Sequence, residues 1–178
     1  ARTRLVADGG QFADAVRMLR APELRATTFV EGTPLTANGC ATARGTASTA
    51  PFGQATGEPS LTPYALGSCG SDWAYPVPGS VDREAVTSAV RRVGDAMRRQ
   101  GYRGVFGVDF VADRDGRVYA IEVNPRLVAS AALHAQLEHQ APLVWRAVRH
   151  RRDYPKSPSK ARAWAPRAMN DIIGAINM

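Results

Sequence analysis

The stretch GVDFVADRDGRVYAIEVNPR, residues 107–126, contains the most informative pattern in the chain. Two runs rich in apolar and β-branched residues flank DRDG, a turn-forming sequence, and together they predict a β-hairpin. Three side chains with oxygen atoms suited to hard cations lie in these runs, at Asp109, Glu122 and Asn124. The stretch therefore has three candidate interpretations: a calcium-binding loop, an ordinary surface hairpin, or the metal-binding edge of a catalytic site.

The calcium-loop interpretation requires oxygen ligands at fixed positions of a loop of about 12 residues. Four of the consensus positions are matched, by Asp113, Asp115, Gly116 and Glu122. The first position is Val111, which has no ligating atom, and the flanking sequence is β-rich rather than helical. DRDG is better interpreted as a turn in which the glycine supplies a positive φ.

The surface-hairpin interpretation makes a definite prediction about strand register. We expect Ala112 to pair with Arg117 across DRDG. Asp109 then lies opposite Ala120, and Asp109 and Glu122 are diagonal neighbours, about 7–8 Å apart between their Cα atoms. Alternation would then bury an apolar face, consisting of Val108, Phe110, Tyr119, Ile121 and Val123.

The same alternation places Asp109, Glu122 and Asn124 together on the second face. Two carboxylates on one face repel each other, so this face needs either solvent or a cation. A carboxylate pair with an amide beside it can hold magnesium through oxygen atoms. Arg126 follows two residues after Asn124, and a fixed guanidinium beside metal ligands is suited to a transferring phosphoryl group. The residues alone leave the surface-hairpin and magnesium-edge interpretations open.

GYRGVFGVDFVADRDGRVYAIEVNPR, residues 101–126, resembles the metal-binding hairpin of the ATP-grasp superfamily, including the 13-residue step from Asp109 to Glu122. The ending EVNPR is similar to that of the biotin carboxylase and carbamoyl phosphate synthetase branch, and carboxylate–amine ligases have similar endings. Upstream, TTFVEGTPL, residues 27–35, resembles the strand and hinge that hold adenine. Two positions depart from this pattern, Thr27 in place of an acidic or amide residue and Pro34 in place of a ribose-binding glutamate.

The resemblance implies an α+β ATP-grasp fold whose mainly antiparallel sheet is flanked by helices. It also implies ATP and Mg²⁺ or Mn²⁺ as cofactors, with a small carboxylate as substrate. Glu122 would bridge two metal ions, while Asp109 and Asn124 would each bind one. Arg126 would be catalytic, steadying the transferring phosphoryl group, and the backbone of Thr28 and Val30 would contact adenine.

The resemblance further implies that the lysines that hold the phosphates belong to a preceding part of the module. This chain contains no lysine before Lys156. We therefore expect an incomplete catalytic unit in which residues 1–31 end the nucleotide-binding subdomain. Residues 32–150 would form the C-terminal subdomain with the metal-binding hairpin at 105–126, and residues 151–178 a basic, proline-containing tail. The alternative is a noncatalytic ATP-grasp-like domain that acts in binding or assembly.

Local patterns predict several further elements. An apolar stripe predicts a helix over residues 82–100, begun by Ser80 or Asp82 and ended by Gly101. Other predicted elements are strands at 4–7 and 26–30, a helix over 11–20 capped by Asp8, an Asn38–Gly39 turn, and a helix over 128–150. Weak site candidates are Gln54 and the segment 69–73, and for both a structural role is the stronger expectation.

Composition limits the function classes. The net charge is +7, but the only dense basic block is at 146–164, so nucleic-acid binding is not favoured. No long apolar run predicts a membrane span, and a cytoplasmic location is expected. The chain has only two cysteines, Cys40 and Cys69, too few for a disulfide framework or a zinc site.

Overall fold

The fold is described from a computed structural model, which describes residues 3–72 and 77–131. In chain order the elements are α1 (Gly9–Leu19), β1 (Thr33–Ala41), β2 (Thr46–Ser48), β3 (Phe52–Thr56), β4 (Ser68–Asp72), α2 (Arg83–Arg99), β5 (Gly104–Ala112) and β6 (Val118–Asn124). The predicted α+β class with a mainly antiparallel sheet is confirmed. The tail at 151–178, most of the helix predicted over 128–150 and the predicted 150/151 boundary lie outside the described residues.

The described sheet is antiparallel throughout, with strand order β4-β3-β1-β5-β6. β1 is its centre and pairs with β5 along its whole length, from Thr33 opposite Ala112 to Ala41 opposite Gly104. On its other side β1 pairs first with β3 and then with the short β2. The two longest strands therefore lie side by side, although α2 and three other strands separate them in the chain.

The predicted turn at Asn38–Gly39 is wrong, because both residues lie in the middle of β1. Gly39 is instead a site of close packing: a Cβ added there would lie 2.2 Å from Cζ of the Phe106 ring. Gly94 of α2 approaches the same ring, with an added Cβ 2.8 Å from Cζ. The glycine of the Asn-Gly pair therefore serves ring packing rather than a change of chain direction.

The helix predicted over 82–100 is confirmed as α2. Asp82 is the N-cap, and its side chain accepts hydrogen bonds from the backbone N–H groups of Glu84 and Ala85. Gly101, with φ of 89°, follows the helix and allows the chain to turn away. The apolar stripe faces the core as predicted: Ala96 is partly buried, and the buried members are Val86, Ala89, Val90, Val93 and Met97.

α2 packs against one face of the sheet and forms the main core. The side chains of the sheet in this core are those of Leu35, Ala37, Ala41, Phe106, Val108, Phe110, Ala112, Ala120 and Val123. Alternation along β1 and β5 sends the intervening side chains to the second face. That second face therefore receives Thr36 and Asp109, which are directly opposite each other.

The N-terminal segment agrees only in part with prediction. Asp8 caps α1 as expected, and its carboxylate accepts from the backbone N–H of Gln11 at 2.8 Å. The predicted strands at 4–7 and 26–30 are wrong, since neither segment has strand structure. Within residues 3–72 and 77–131 neither is paired with a strand, and β propensity alone does not satisfy backbone hydrogen bonds.

The β5–β6 hairpin is confirmed, but its register differs from the predicted one. Ala112 pairs with Val118 rather than Arg117, so the loop contains five residues, 113–117. A register shift follows, because Asp109 pairs with Glu122 while Phe110 pairs with Ala120. Ile121 is the extra residue of this β-bulge, and the residue is 41% exposed.

The bulge corrects the predicted core face of β6. Ala120 and Val123 are buried, whereas Tyr119 is only half-buried and Ile121 is exposed. One extra residue reverses the alternation, so residues on both sides of the bulge can face the core. Glu122 and Asn124 nevertheless share the Asp109 face, as predicted.

Within the described residues, no helix has the length and apolar character needed to cross a bilayer. Cys40 and Cys69 are both free thiols, and burial raises the pKa of Cys40. A buried thiol with a raised pKa is a packing group rather than a nucleophile at neutral pH.

Candidate metal and nucleotide site

Three predicted metal ligands meet on the face of the sheet opposite α2. Asp109 and Glu122 are directly paired across β5 and β6, closer than the diagonal arrangement expected from the sequence. Asn124 pairs with Gly107, one row further along the same two strands. Its amide Nδ2 donates to Oδ2 of Asp109 at 3.2 Å. Pairing and hydrogen bonding therefore group the two carboxylates and the amide.

Asp109 also accepts hydrogen bonds from the β1 and β3 side of the sheet. Nε2 of Gln54 donates to Oδ1 of Asp109 at 3.4 Å. The buried hydroxyl of Thr36, opposite Asp109 on β1, has one proton, which it donates to the carbonyl oxygen of Val108 at 3.3 Å or to the carboxylate of Asp109. Neutral donors thus hold the carboxylate from both sides.

The pKa of Asp109 is raised above its ordinary value, chiefly because partial burial disfavours the charged form. Hydrogen bonds from Thr36, Asn124 and Gln54 and the charge of Arg126 act in the opposite direction and offset part of this effect. The surrounding hydrogen bonds and the charge of Arg126 therefore stabilise the negative charge of Asp109 only in part.

The pKa of Glu122 is also raised, first by desolvation and then by the negative charge of Asp109. Its residue surface remains exposed, but neighbouring atoms shield the carboxylate from part of the solvent. The charges of Arg126 and Arg25 and a hydrogen bond with Asn124 lower the pKa without cancelling the rise. Two crowded carboxylates with raised pKa values form a site in which a divalent cation would relieve mutual repulsion.

The predicted catalytic residue Arg126 is part of the same cluster. It lies just beyond β6, and its Nη2 donates to Oδ1 of Asn124 at 3.2 Å. Its side chain is exposed, and its charge acts on both Asp109 and Glu122. The guanidinium is therefore next to the paired carboxylates and open to an anionic ligand.

The predicted adenine-contacting residues, Thr28 and Val30, lie in the extended segment that precedes β1. Arg25 ties this segment to the bulge, because its Nη2 donates to the carbonyl oxygen of Ile121 at 3.4 Å. Glu31 forms an exposed ion pair of 3.8 Å with Arg114 in the hairpin loop. Between these two contacts, Thr28 is exposed and Val30 is half-buried. The contact of their backbone with adenine stays a prediction.

The oxygen donors fit magnesium better than a transition metal. Among residues 3–72 and 77–131, no group of three or more His, Cys, Asp or Glu side chains could hold a metal ion. The candidate oxygen donors on this face are the carboxylates of Asp109 and Glu122 and the amide oxygen of Asn124. Mg²⁺ commonly combines one or two carboxylates with waters and substrate phosphates, and this set leaves room for both.

Sequence reasoning missed Thr36 and Arg25 and ranked Gln54 only as a weak candidate. Thr36 and Gln54 reach Asp109 through strand pairings that join distant parts of the chain. Arg25 reaches Glu122 because the N-terminal segment lies along the bulged strand. No local motif marks any of the three residues; alternation along β1 was the one available signal for Thr36.

Most of the described residues match the model of a known protein family. The model of the ATP-grasp domain matches residues 26–130, which include TTFVEGTPL, all strands of the described sheet and the β5–β6 hairpin. The chain belongs to the ATP-grasp family. The ATP-grasp assignment confirms the resemblance inferred from residues 101–126 and from TTFVEGTPL.

Individual relatives match the ATP-grasp chain over limited lengths. L-propargylglycine–L-glutamate ligase from Streptantibioticus cattleyicolor is 46% identical over 46 residues, which are 26% of this chain and 10% of that protein. N5-carboxyaminoimidazole synthase from Aspergillus clavatus, solved in complex with ADP and 5-aminoimidazole ribonucleotide, has a TM-score of 0.50 and 19% identity. This match covers 76% of the present chain and 35% of the solved one.

A further solved structure, the L-amino acid ligase from Bacillus licheniformis, has a TM-score of 0.44 and 17% identity over 72% of this chain and 30% of that chain. The present chain thus spans about a third of the solved relatives. At these identities the likeness concerns the fold alone.

Proposed function

We propose that this chain forms the metal-binding part of an ATP- and magnesium-dependent carboxylate ligase. The observation that carries the proposal is the directly paired Asp109 and Glu122, with Asn124 and Arg126 hydrogen-bonded beside them. Membership of the ATP-grasp family supports ATP as the nucleotide. The curated relative is named as a ligase of two amino acids, which supports a carboxylate activated as an acyl phosphate and captured by an amine.

Each residue of the cluster has a role in this proposal. Asp109, Glu122 and the amide oxygen of Asn124 would hold Mg²⁺ or Mn²⁺, and Glu122 would serve as a ligand of two ions. The bound metal supplies charge neutralisation for the phosphate oxygens during phosphoryl transfer. Arg126 orients the transferring phosphoryl group through its exposed guanidinium.

If Asn124 binds the metal through Oδ1, its Nδ2 can still donate to Asp109, but Oδ1 exchanges its contact with Arg126. Its Oδ1 accepts from Arg126 in the structure, and a metal ion bound at that oxygen would replace this hydrogen bond. The guanidinium then becomes available to a phosphate, because its hydrogen bond to the carbonyl oxygen of Leu127 is long, at 3.5 Å. Metal binding and phosphate binding are thereby expected to favour each other.

The nucleotide base is assigned to the extended segment before β1. The backbone of Thr28 and Val30 contacts adenine in this proposal, and the ties of Arg25 and Glu31 to the hairpin hold the segment near the metal ligands. Exclusion of water would protect the acyl phosphate from hydrolysis. We also propose a cytoplasmic location, where ATP is available.

The alternative is a noncatalytic ATP-grasp domain that acts in binding or assembly. It is favoured by one observation, the absence of lysine before Lys156. The two candidates differ in whether the chain binds Mg²⁺-ATP.

Calorimetric titration of the chain with ATP, with and without Mg²⁺, separates the two candidates. We expect Mg²⁺-dependent binding that weakens at least about tenfold in Glu122→Gln, because a metal-ligating carboxylate is lost. Glu84→Gln is the matched control, since Glu84 is an exposed glutamate on α2, which covers the other face of the sheet. Absence of Mg²⁺-ATP binding in the unmodified chain would exclude the proposed function for it and leave the noncatalytic alternative.

A further inference from the structure

Gln54 contacts the candidate metal site from β3, which lies two strands away from β5 in the same sheet. It lies on β3, paired with Ser71 of β4, and β3 is separated from β5 by the central strand β1. Two strand spacings amount to about 9.6 Å, so only a long side chain on this face can span the distance. The amide of Gln54 does so and reaches Oδ1 of Asp109 at 3.4 Å.

The contact completes a two-sided arrangement around the carboxylate. Gln54 donates to Oδ1 of Asp109 from the β3 side, whereas Asn124 donates to Oδ2 from the β6 side. A carboxylate held at both oxygens cannot rotate freely about its Cβ–Cγ bond. Its remaining lone pairs are therefore held in fixed directions on the open face, which it shares with Glu122.

We propose that Gln54 is a positioning residue for the metal-binding carboxylate of Asp109, an assignment that rests on the function proposed above. The side chain acts through Asp109 rather than by touching the metal or the substrate. An amide suits this role because it donates a hydrogen bond without adding charge. A glutamate at position 54 would bring a third carboxylate to a site where the existing pair already repels.

The expected effect on metal affinity follows from the geometry. Hydrogen-bond partners of metal ligands typically contribute about 10–100-fold to metal affinity. The 3.4 Å separation is long for an N–H···O hydrogen bond, so the contribution of Gln54 belongs at the low end of this range. Loss of the amide donor should therefore weaken metal binding about tenfold.

The test is a Mn²⁺ titration of the full chain, followed by electron paramagnetic resonance of the free and bound ion. Gln54→Met keeps the length of the side chain and removes the donor, and Gln54→Asn keeps the amide but shortens its reach. Both variants should raise the Kd for Mn²⁺ about tenfold while the melting temperature stays close to that of the unmodified chain. Ser71→Ala, at the cross-strand neighbour of Gln54, is the matched control and should change the Kd less than twofold.

A double-variant measurement distinguishes positioning of Asp109 from a general effect on the strand. In an Asp109→Asn background the donor has lost its carboxylate partner, so Gln54→Met should cause no further loss of Mn²⁺ affinity. A further tenfold loss in that background would overturn the positioning role, because the effect would not pass through Asp109.

The remaining outcomes separate this inference from the proposed function. If the unmodified chain binds Mn²⁺ and Glu122→Gln abolishes binding, but both Gln54 variants bind normally, only the positioning role is refuted. If the unmodified chain binds no Mn²⁺, the proposed function fails and the positioning role fails with it. Retained binding in Gln54→Asn together with lost binding in Gln54→Met also contradicts the role, since the shorter amide cannot reach Asp109.

Discussion

The packing of Phe106 over Gly39 provides a quantitative test of the sheet arrangement. In Gly39→Ala the new Cβ would lie 2.2 Å from Cζ of the ring. Ordinary contacts between carbon atoms begin near 3.4 Å, so the ring would have to move by about 1.2 Å. Phe106 has no exposed surface, and Gly94 of α2 blocks part of the space beside the same ring atom.

The cost of this change can be estimated from the packing. Overpacking of a well-packed core typically costs about 1–3 kcal/mol, and the closed environment of Phe106 places Gly39→Ala near about 3 kcal/mol. For a chain of this size that corresponds to a fall in melting temperature of roughly 6–12 °C. Gly70→Ala on β4 is the matched control, because its added Cβ meets nothing within 4 Å. We expect that control to change stability by less than about 0.5 kcal/mol.

Thermal and urea unfolding followed by circular dichroism measures both variants. A Gly39→Ala/Phe106→Leu double variant adds a test of mechanism, since leucine lacks the ring tip that meets the new Cβ. Its destabilisation should be smaller than the sum of the two single effects, because both changes act at one contact. A Gly39→Ala chain that melts within 2 °C of the unmodified protein, or additive single effects, would refute the packing described for β1 and β5.

Three further predictions concern the site and α2. Glu122→Gln should stabilise the metal-free chain at pH 7 by about 0.5 kcal/mol, a small value because Glu122 is exposed. The pKa of Glu122 in the folded chain is raised above its ordinary value of 4.5, so the stabilisation should disappear as the pH falls below 4.5. Thermal unfolding measured at a series of pH values checks this expectation. Added Mg²⁺ with ATP should raise the melting temperature of the unmodified chain more than that of Glu122→Gln, whereas equal shifts would mean that the metal binds elsewhere. Asp82→Ala should cost about 1 kcal/mol in urea unfolding, since two backbone N–H groups lose their cap; an unchanged midpoint would contradict the capping contact.

Much of the local structure could be predicted because its causes are local. The stripe from Val86 to Met97 repeats at helical spacing, and Asp82 and Gly101 mark the ends of α2. Alternation in the hairpin was enough to place Asp109, Glu122 and Asn124 on one face. The segment 26–30 shows the limit of this approach, since its β-rich composition does not provide a strand partner.

The register of the hairpin could not be predicted from the turn alone. DRDG suggested a four-residue loop, but the loop has five residues, and the bulge at Ile121 shifts β6 by one further residue, which returns Glu122 to the face of Asp109. The bulge allows both Ala120 and Val123 to face α2 while Glu122 stands directly opposite Asp109. This register therefore buries Ala120 and Val123 on one face and pairs Asp109 with Glu122 on the other.

The amino-acid sequence by itself determined the two helices with their caps, the hairpin, and the shared face of the predicted metal ligands, because each depends on neighbours within a few residues. Tertiary structure alone decided that Asn38–Gly39 continues a strand, since the reason is a ring 67 positions away at Phe106. It also decided that Gln54 and Thr36 hold Asp109, because strand pairings bring them together. Contacts between distant segments depend on how the whole core packs, and no local pattern of residues carries that information.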